Sequence, residues 1–295
     1  MSELNQPELA YFLGLCITRG YFSDSKIIVN FSYKKRSFNL PPNCLSANLS
    51  KKDREYTIDG IRVTELLKGY LQTEIITNRD DQRYSMTVVI PQGSMVSQTL
   101  NSILGPLESF SYKTTNIPDV IWNSSIDIQK YFIRGVADSC SIPTYGDRDQ
   151  NNQTRICIDI PFENWNLPVS ICKLLQEKLS IPVANILWGH PNLRTPSQPE
   201  SRSWSKEHRV RLFSTEFAQI GFGFEFKQQI LEYFISFEND KRKSSIFCWP
   251  NKKYNNRKRE KHLDESSDKI PLKARKHVCN FREVCLSMGC EQKER

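Results

Sequence analysis

Three short stretches of this chain alternate apolar residues with mainly polar or charged ones, which is the pattern of a strand with one polar face. They span residues 26–36, 155–160 and 207–213. Arg and Lys pair with guanine edges and phosphates, and Asn pairs with adenine, so the pattern favours contact with a nucleic acid. The alternative is a solvent-facing strand that carries polar residues for solubility alone. The candidate contact residues are Lys26, Asn30, Lys34, Arg36, Arg155, Arg209 and Arg211.

The positive charge is concentrated in the last fifth of the chain. Residues 241–295 contain 16 Lys and Arg against 7 Asp and Glu, while the whole chain has a net charge of +8, so the preceding part is slightly acidic. Such a basic segment is the expected footprint of a nucleic-acid contact, with a solvated tail as the alternative. The basic candidates here are Lys252, Lys253, Arg257, Lys258 and Arg259.

The same segment also contains residues that can bind a metal. A tetrahedral zinc site can be assembled from Cys248, His262, His277 and Cys290. The spacing contains no C-x₂-C pair, so a plain structural use of these residues is the alternative. No other resident cofactor is expected.

The elements that would position these residues occur twice in a similar order. Two apolar stretches, 12–22 and 132–142, look helical, and each has a glycine in mid-helix, where glycine is unfavourable by about 1 kcal/mol. A glycine there suggests the close approach of another backbone. We therefore expect the two helices, 7–19 and 126–139, to pack through Gly14 and Gly135. After the first helix we expect a strand from residue 26, turns or a long loop at 37–52, a further strand before a helix at 61–71, strands on either side of 78–81 and a helix at 94–104. After the second helix we expect a strand at 155–160, a helix at 167–179, strands at 181–188 and 208–213, and helices at 215–222 and 225–237.

The two apolar stretches resemble the paired motifs of the LAGLIDADG homing-endonuclease family, in its single-chain, two-repeat form. Gly14-Leu15 and Gly20-Tyr21-Phe22 match the first motif, and the run from Phe132 to Asp138 matches the second. The resemblance covers about residues 7–237. It implies an α/β (α+β) fold with paired central helices and two antiparallel sheets that form a DNA-binding saddle. We predict a first repeat at 1–110, a second at 111–240, and a small basic C-terminal extension at 241–295.

The sequence departs from this family at the positions that matter for cleavage. In active members the last acidic residue of each motif binds the divalent metals, and those positions are Arg19 and Cys140 here, with Ser141 in place of the following glycine. An arginine repels Mg²⁺, and a cysteine is a poor ligand for it. Arg19 then either contacts the phosphates directly or only caps the C-terminus of its helix.

The leading hypothesis is a sequence-specific double-stranded DNA-binding protein without ordinary cleavage, whose partner could be a separate nuclease or effector subunit. One alternative is a Mg²⁺-dependent endonuclease that uses other acids, such as Asp138 or Asp147. Another is a maturase-like RNA-binding protein. Because a two-repeat chain completes the saddle alone, a monomer is expected.

The composition predicts a cytoplasmic protein with reduced thiols. No run of about 20 apolar residues predicts a membrane span, and the N-terminal residues show no secretory pattern. The nine cysteines are odd in number and scattered, which is more typical of free thiols than of disulfides.

Overall fold

The computed structural model describes residues 4–24, 26–31, 61–79, 84–91, 93–144, 154–191 and 206–237. In the first repeat, helix α1 leads into strands β1 and β2, followed by α2, strands β3 and β4, and α3. The sheet has the order β1-β2-β4-β3, with every neighbouring pair antiparallel. The bounds are α1 Pro7–Arg19, β1 Gly20–Ser23, β2 Lys26–Phe31, α2 Ile61–Leu71, β3 Ile75–Arg79, β4 Tyr84–Val89 and α3 Met95–Leu104.

The second repeat has the same order of elements. The short helix α4 precedes α5, and the second sheet has the order β5-β6-β8-β7, again antiparallel throughout. The helix after β6 continues into one π-helical turn, Leu174–Lys178. The bounds are α4 Asp119–Trp122, α5 Ile126–Cys140, β5 Ser141–Thr144, β6 Arg155–Pro161, α6 Asn166–Lys173, β7 Val183–Pro191, β8 Lys206–Phe213, α7 Ser214–Phe217 and α8 Glu225–Phe237.

Helices α1 and α5 form the centre of the molecule. A Cβ atom added to Gly14 would lie 2.1 Å from the carbonyl oxygen of Phe132, and one added to Gly135 would lie 2.1 Å from that of Tyr11. Both glycines therefore permit the close approach of the facing backbone, as predicted. From Leu9 to Thr18 every residue of α1 is buried, so this helix is part of the core on all sides.

The α/β (α+β) class predicted from the sequence is confirmed, with two similar repeats, paired central helices and two antiparallel sheets. Two strands, β1 and β5, are absent from the sequence prediction, which places the first strand only from residue 26. The structure ends α1 at Arg19, as predicted, and turns directly into β1. Outside the described residues lie the loop expected at 37–52, the strand expected between that loop and α2, and the extension at 241–295.

Strand β6 is more buried than predicted. Its alternation of Ile156, Ile158 and Ile160 with polar residues suggests one solvent face, yet all seven residues of the strand are buried.

Within the described ranges, no helix combines the length and apolar character needed to cross a bilayer.

Candidate nucleic-acid interface

The ends of α1 and α5 meet at the edge of the two sheets. The hydroxyls of Thr18 and Ser139, one from each helix, are hydrogen-bonded to each other. These two residues are 121 positions apart, the same separation as Gly14 and Gly135, so they are equivalent in the two repeats. The next residue in each repeat, Arg19 or Cys140, ends its helix.

Arg19 reaches from the first repeat onto the second sheet. Its Nη2 donates a hydrogen bond of 3.4 Å to the backbone carbonyl of Asp159 and lies 3.6 Å from Oε1 of Glu207. The Arg19 side chain is 16% exposed and that of Glu207 8%. The guanidinium therefore lies at the surface of the junction between the repeats and connects them, in addition to any role at the end of its own helix.

Arg209 extends this group of charges along β8. Its Nε and Nη2 donate to the two carboxylate oxygens of Asp159 at 2.6 and 3.0 Å. Burial alone would lower the pKa of Arg209, but the adjacent Asp159 carboxylate more than reverses this and keeps the guanidinium charged. Arg19, Asp159, Glu207 and Arg209 together form what we call the junction cluster.

Cys140 is not available as an anionic ligand. The residue is 6% exposed, and its Sγ donates to the carbonyl of Val136 at 3.0 Å. Burial raises the pKa of the thiol to about 11, although the nearby Arg19 cation acts in the opposite direction. A neutral buried thiol beside a guanidinium does not suit a Mg²⁺ ion, which prefers oxygen ligands.

Asp138, the weak candidate for catalysis, is enclosed in the core of the molecule. It is fully buried and accepts hydrogen bonds from the hydroxyl of Tyr11 at 2.8 Å and the backbone amides of Gly223 and Phe224 at 2.7 and 3.3 Å. Burial raises the pKa of its carboxyl group despite these donors and the nearby Lys227. This carboxylate holds the start of α8 against the central helices, whereas Asp147 lies outside the described residues.

Lys227 is a buried ionisable residue that the sequence analysis misses. It is 1% exposed, and its Nζ donates to the carbonyls of Ala137, Asp138 and Ser141 at 3.2, 2.6 and 2.9 Å. Burial lowers the pKa of the amine to about 8, partly offset by Asp138. Its position in an apolar i, i+3, i+4, i+7 pattern with Phe224, Ile230, Leu231 and Phe234 is the signal that could have identified a buried lysine.

The remaining strand candidates have different surroundings. Lys26 is half-buried and Asn30 exposed on the outer face of the first sheet. Arg155 is only 7% exposed, with its guanidinium 4.0 Å from the centroid of the Phe213 ring. Arg211 is half-buried, and its buried Nε has no hydrogen-bond partner among the described residues.

The other predicted site residues all lie outside the described parts of the chain. Within the described parts of the chain, no group of three or more His, Cys, Asp and Glu side chains could hold a metal ion. Outside the described residues lie the candidates Lys34, Arg36, Lys252, Lys253, Arg257, Lys258 and Arg259 and the four zinc candidates Cys248, His262, His277 and Cys290.

Comparison with known proteins gives similarity to solved structures alone. No protein-family model matches the chain, and no curated protein is significantly similar to it. Full-length DUF199/WhiA from Thermatoga maritima is 12% identical, with 99% of this chain and 88% of that chain covered and a TM-score of 0.40. The N-terminal LAGLIDADG domain of DUF199/WhiA is 13% identical, with coverage of 79% and 86% and a TM-score of 0.38. The homing endonuclease I-DmoI, in a complex with DNA and Ca, is 15% identical, with coverage of 72% and 86% and a TM-score of 0.35.

Proposed function

We propose that this protein binds double-stranded DNA in a sequence-specific manner and does not cleave it by metal-dependent chemistry at the helix ends. The observation that carries the proposal is the junction cluster. Where the two central helices end, the chain presents the Arg19 guanidinium and a buried neutral thiol, beside further arginines on β8. Guanidinium groups bind phosphates and guanine edges, whereas cleavage by bound metals requires carboxylates.

The junction cluster is neutral, with two arginines and two carboxylates, and the neighbouring Arg211 gives this surface a net positive charge. Each carboxylate is already engaged by an arginine, Asp159 by Arg209 and Glu207 by Arg19. Arg211, two residues beyond Arg209 on the same face of β8, adds a half-buried cation. The site can therefore accept phosphate oxygens without first losing an internal ion pair.

The decisive experiment is selection from a randomised duplex DNA pool at about 0.15 M salt with Mg²⁺ present, followed by a check of the recovered strands for nicks. We expect an enriched, uncut sequence, with binding unchanged after chelation of Mg²⁺. Cut strands would show that acids elsewhere in the chain carry out cleavage. Displacement of the duplex by equimolar structured RNA would replace this proposal with RNA binding.

Single-residue variants then test the site itself. Arg211→Gln should weaken binding to the enriched duplex several-fold and reduce the slope of log affinity against log salt by about one if its contact is to a phosphate. Lys178→Gln is the matched control, because Lys178 is exposed and ends the π-helical turn, outside both sheets. Equal losses in the two variants would mean that only net charge matters.

Arg19 is tested with two substitutions, because loss of its positive charge also removes the cation beside Glu207. Arg19→Lys keeps the charge and Arg19→Gln removes it. We expect Arg19→Gln to lose affinity and Arg19→Lys to retain most of it, and thermal unfolding verifies that both variants are folded at the temperature of the binding assay. Full affinity in both variants would leave Arg19 with a structural role only.

A further inference from the structure

The outer faces of the two sheets carry different chemistry at equivalent positions. In the first sheet, Tyr21 pairs with Ile28, Ile28 with Thr87, and Thr87 with Ile76, so these four residues form one row across all four strands. We call them row 1. The equivalent row of the second sheet, row 2, consists of Ile142, Cys157, Arg211 and Asn185.

Row 1 is uncharged and accessible. Tyr21 is 36% and Ile76 38% exposed, and Ile28 and Thr87 between them are half-buried. Neighbouring strands are about 4.8 Å apart, so the row extends for roughly 14 Å. A continuous row of aromatic, aliphatic and methyl groups on the face opposite the core differs from the scattered apolar residues of an ordinary surface.

Row 1 is also continuous with the proposed DNA-binding surface. Tyr21 follows Arg19 by two residues, and Arg19 belongs to the junction cluster. On the same strand face, Lys26 and Asn30 flank Ile28. A ligand that contacts Arg19 and these polar residues therefore passes over row 1.

We propose that row 1 recognises the C5 methyl groups of thymine in one half of the DNA target. The methyl group of thymine is the apolar group that a base pair presents in the major groove. Side chains such as those of Ile28, Thr87 and Ile76 can bury it but offer little hydrogen bonding. In row 2, arginine and asparagine stand at the positions of Thr87 and Ile76, and these residue types pair with guanine and adenine. This inference rests on the proposed function.

The test compares two randomised duplex pools, one with thymine and one in which deoxyuridine replaces every thymine. The full chain is expected to enrich a thymine-containing half-site from the first pool. Replacing those thymines by deoxyuridine should then weaken binding about four-fold for each methyl group contacted. The same replacement in the other half-site should have no effect. Equal affinity for the thymine and deoxyuridine forms would overturn the inference while leaving DNA binding intact.

A double variant provides the second test. Thr87→Arg with Ile76→Asn gives row 1 the residue types of row 2, and it should change the selected bases of that half-site from thymine to purines. The control is Met95→Asn, since Met95 is 83% exposed at the start of α3. An unchanged thymine preference in the double variant would contradict the inference. Absence of binding to either pool would overturn the proposed function as well, and a preference for RNA, which lacks the methyl group, would exclude thymine recognition.

Discussion

His208 illustrates how a single buried residue links folding to pH. It is fully buried on the inner face of β8, where its ring centroid lies 4.1 Å from that of Trp165 and its Nε2 donates to the carbonyl of Phe162 at 3.0 Å. Burial lowers the pKa of the imidazole to about 3, against 6.5 in the unfolded chain. Below pH 6.5 the unfolded state therefore binds a proton that the folded state does not accept.

Because the unfolded state binds this proton and the folded state does not, acid destabilises the fold. The stability contributed by neutral His208 is fully present above pH 6.5 and is lost progressively as the pH falls toward 3. Between pH 7 and pH 5 we expect its share of the loss to be about 2 kcal/mol in the free energy of unfolding. Urea denaturation at both pH values measures this. His208→Asn, though less stable at pH 7, should show a pH dependence weaker by that amount, and an unchanged dependence would assign the effect to other groups.

Asp159 is the residue on which the junction cluster depends. Its side chain is 3% and that of Arg209 14% exposed, so Asp159→Asn leaves a largely buried guanidinium without its carboxylate. Breaking such a pair is expected to cost about 2–4 kcal/mol in the free energy of unfolding. The exposed pair of Lys113 and Glu163 is the control, with side chains 50% and 55% exposed. Glu163→Gln should change stability by less than about 0.5 kcal/mol. Similar losses in the two variants would show that burial does not distinguish the pairs.

At the scale of the elements, the contact between α1 and α5 leaves no room for a side chain. Gly14→Ala and Gly135→Ala each place a methyl group against a backbone carbonyl that cannot rotate away, and we expect each to destabilise the fold by at least about 3 kcal/mol. Gly69 is the matched control, because it lies in α2 with nothing within 4 Å of an added Cβ. Gly69→Ala should stabilise by up to about 1 kcal/mol through helix propensity. Thermal unfolding of the three variants measures the contrast, and a mild effect at Gly14 would mean that the helices can separate locally.

The same helices show why part of the fold can be predicted from sequence. The predicted bounds of α1 and α2 agree with the structure because several apolar residues repeat at helical spacing over three turns. Strands β1 and β5 have four residues each and continue directly from an apolar helix, so no turn signal or full alternation marks them.

The site residues likewise include some that the sequence identifies and some contacts that it does not. Arg19 and Cys140 can be identified from the motif positions alone, since they lie within regular helices. The pairing of Arg19 with Glu207 and of Arg209 with Asp159 depends on the register between strands far apart in sequence, which local patterns do not encode. The burial of Lys227 depends likewise on where α8 docks against α5.

At the scale of the whole molecule, the two repeats are expected to unfold together, although their sheets are separate. Helix α1 is buried along nearly its whole length, and its principal contact is α5 of the other repeat. Hydrogen bonds from Tyr11 to Asp138 and between Thr18 and Ser139 cross the same boundary. Neither repeat can therefore keep its central helix solvated and folded alone, because an all-apolar helix surface exposed to water is strongly unfavourable.

We accordingly expect one cooperative transition in calorimetry, with equal calorimetric and van't Hoff enthalpies for residues 4–237. Gly135→Ala, which changes only the boundary, should lower the midpoint seen by far-ultraviolet circular dichroism and by tryptophan fluorescence by the same amount. Gly69→Ala, which lies in the first repeat, should either raise both midpoints by the same amount or leave both unchanged. Two separate transitions, or a shift of one probe without the other, would show that the repeats are independent domains joined by a dispensable contact.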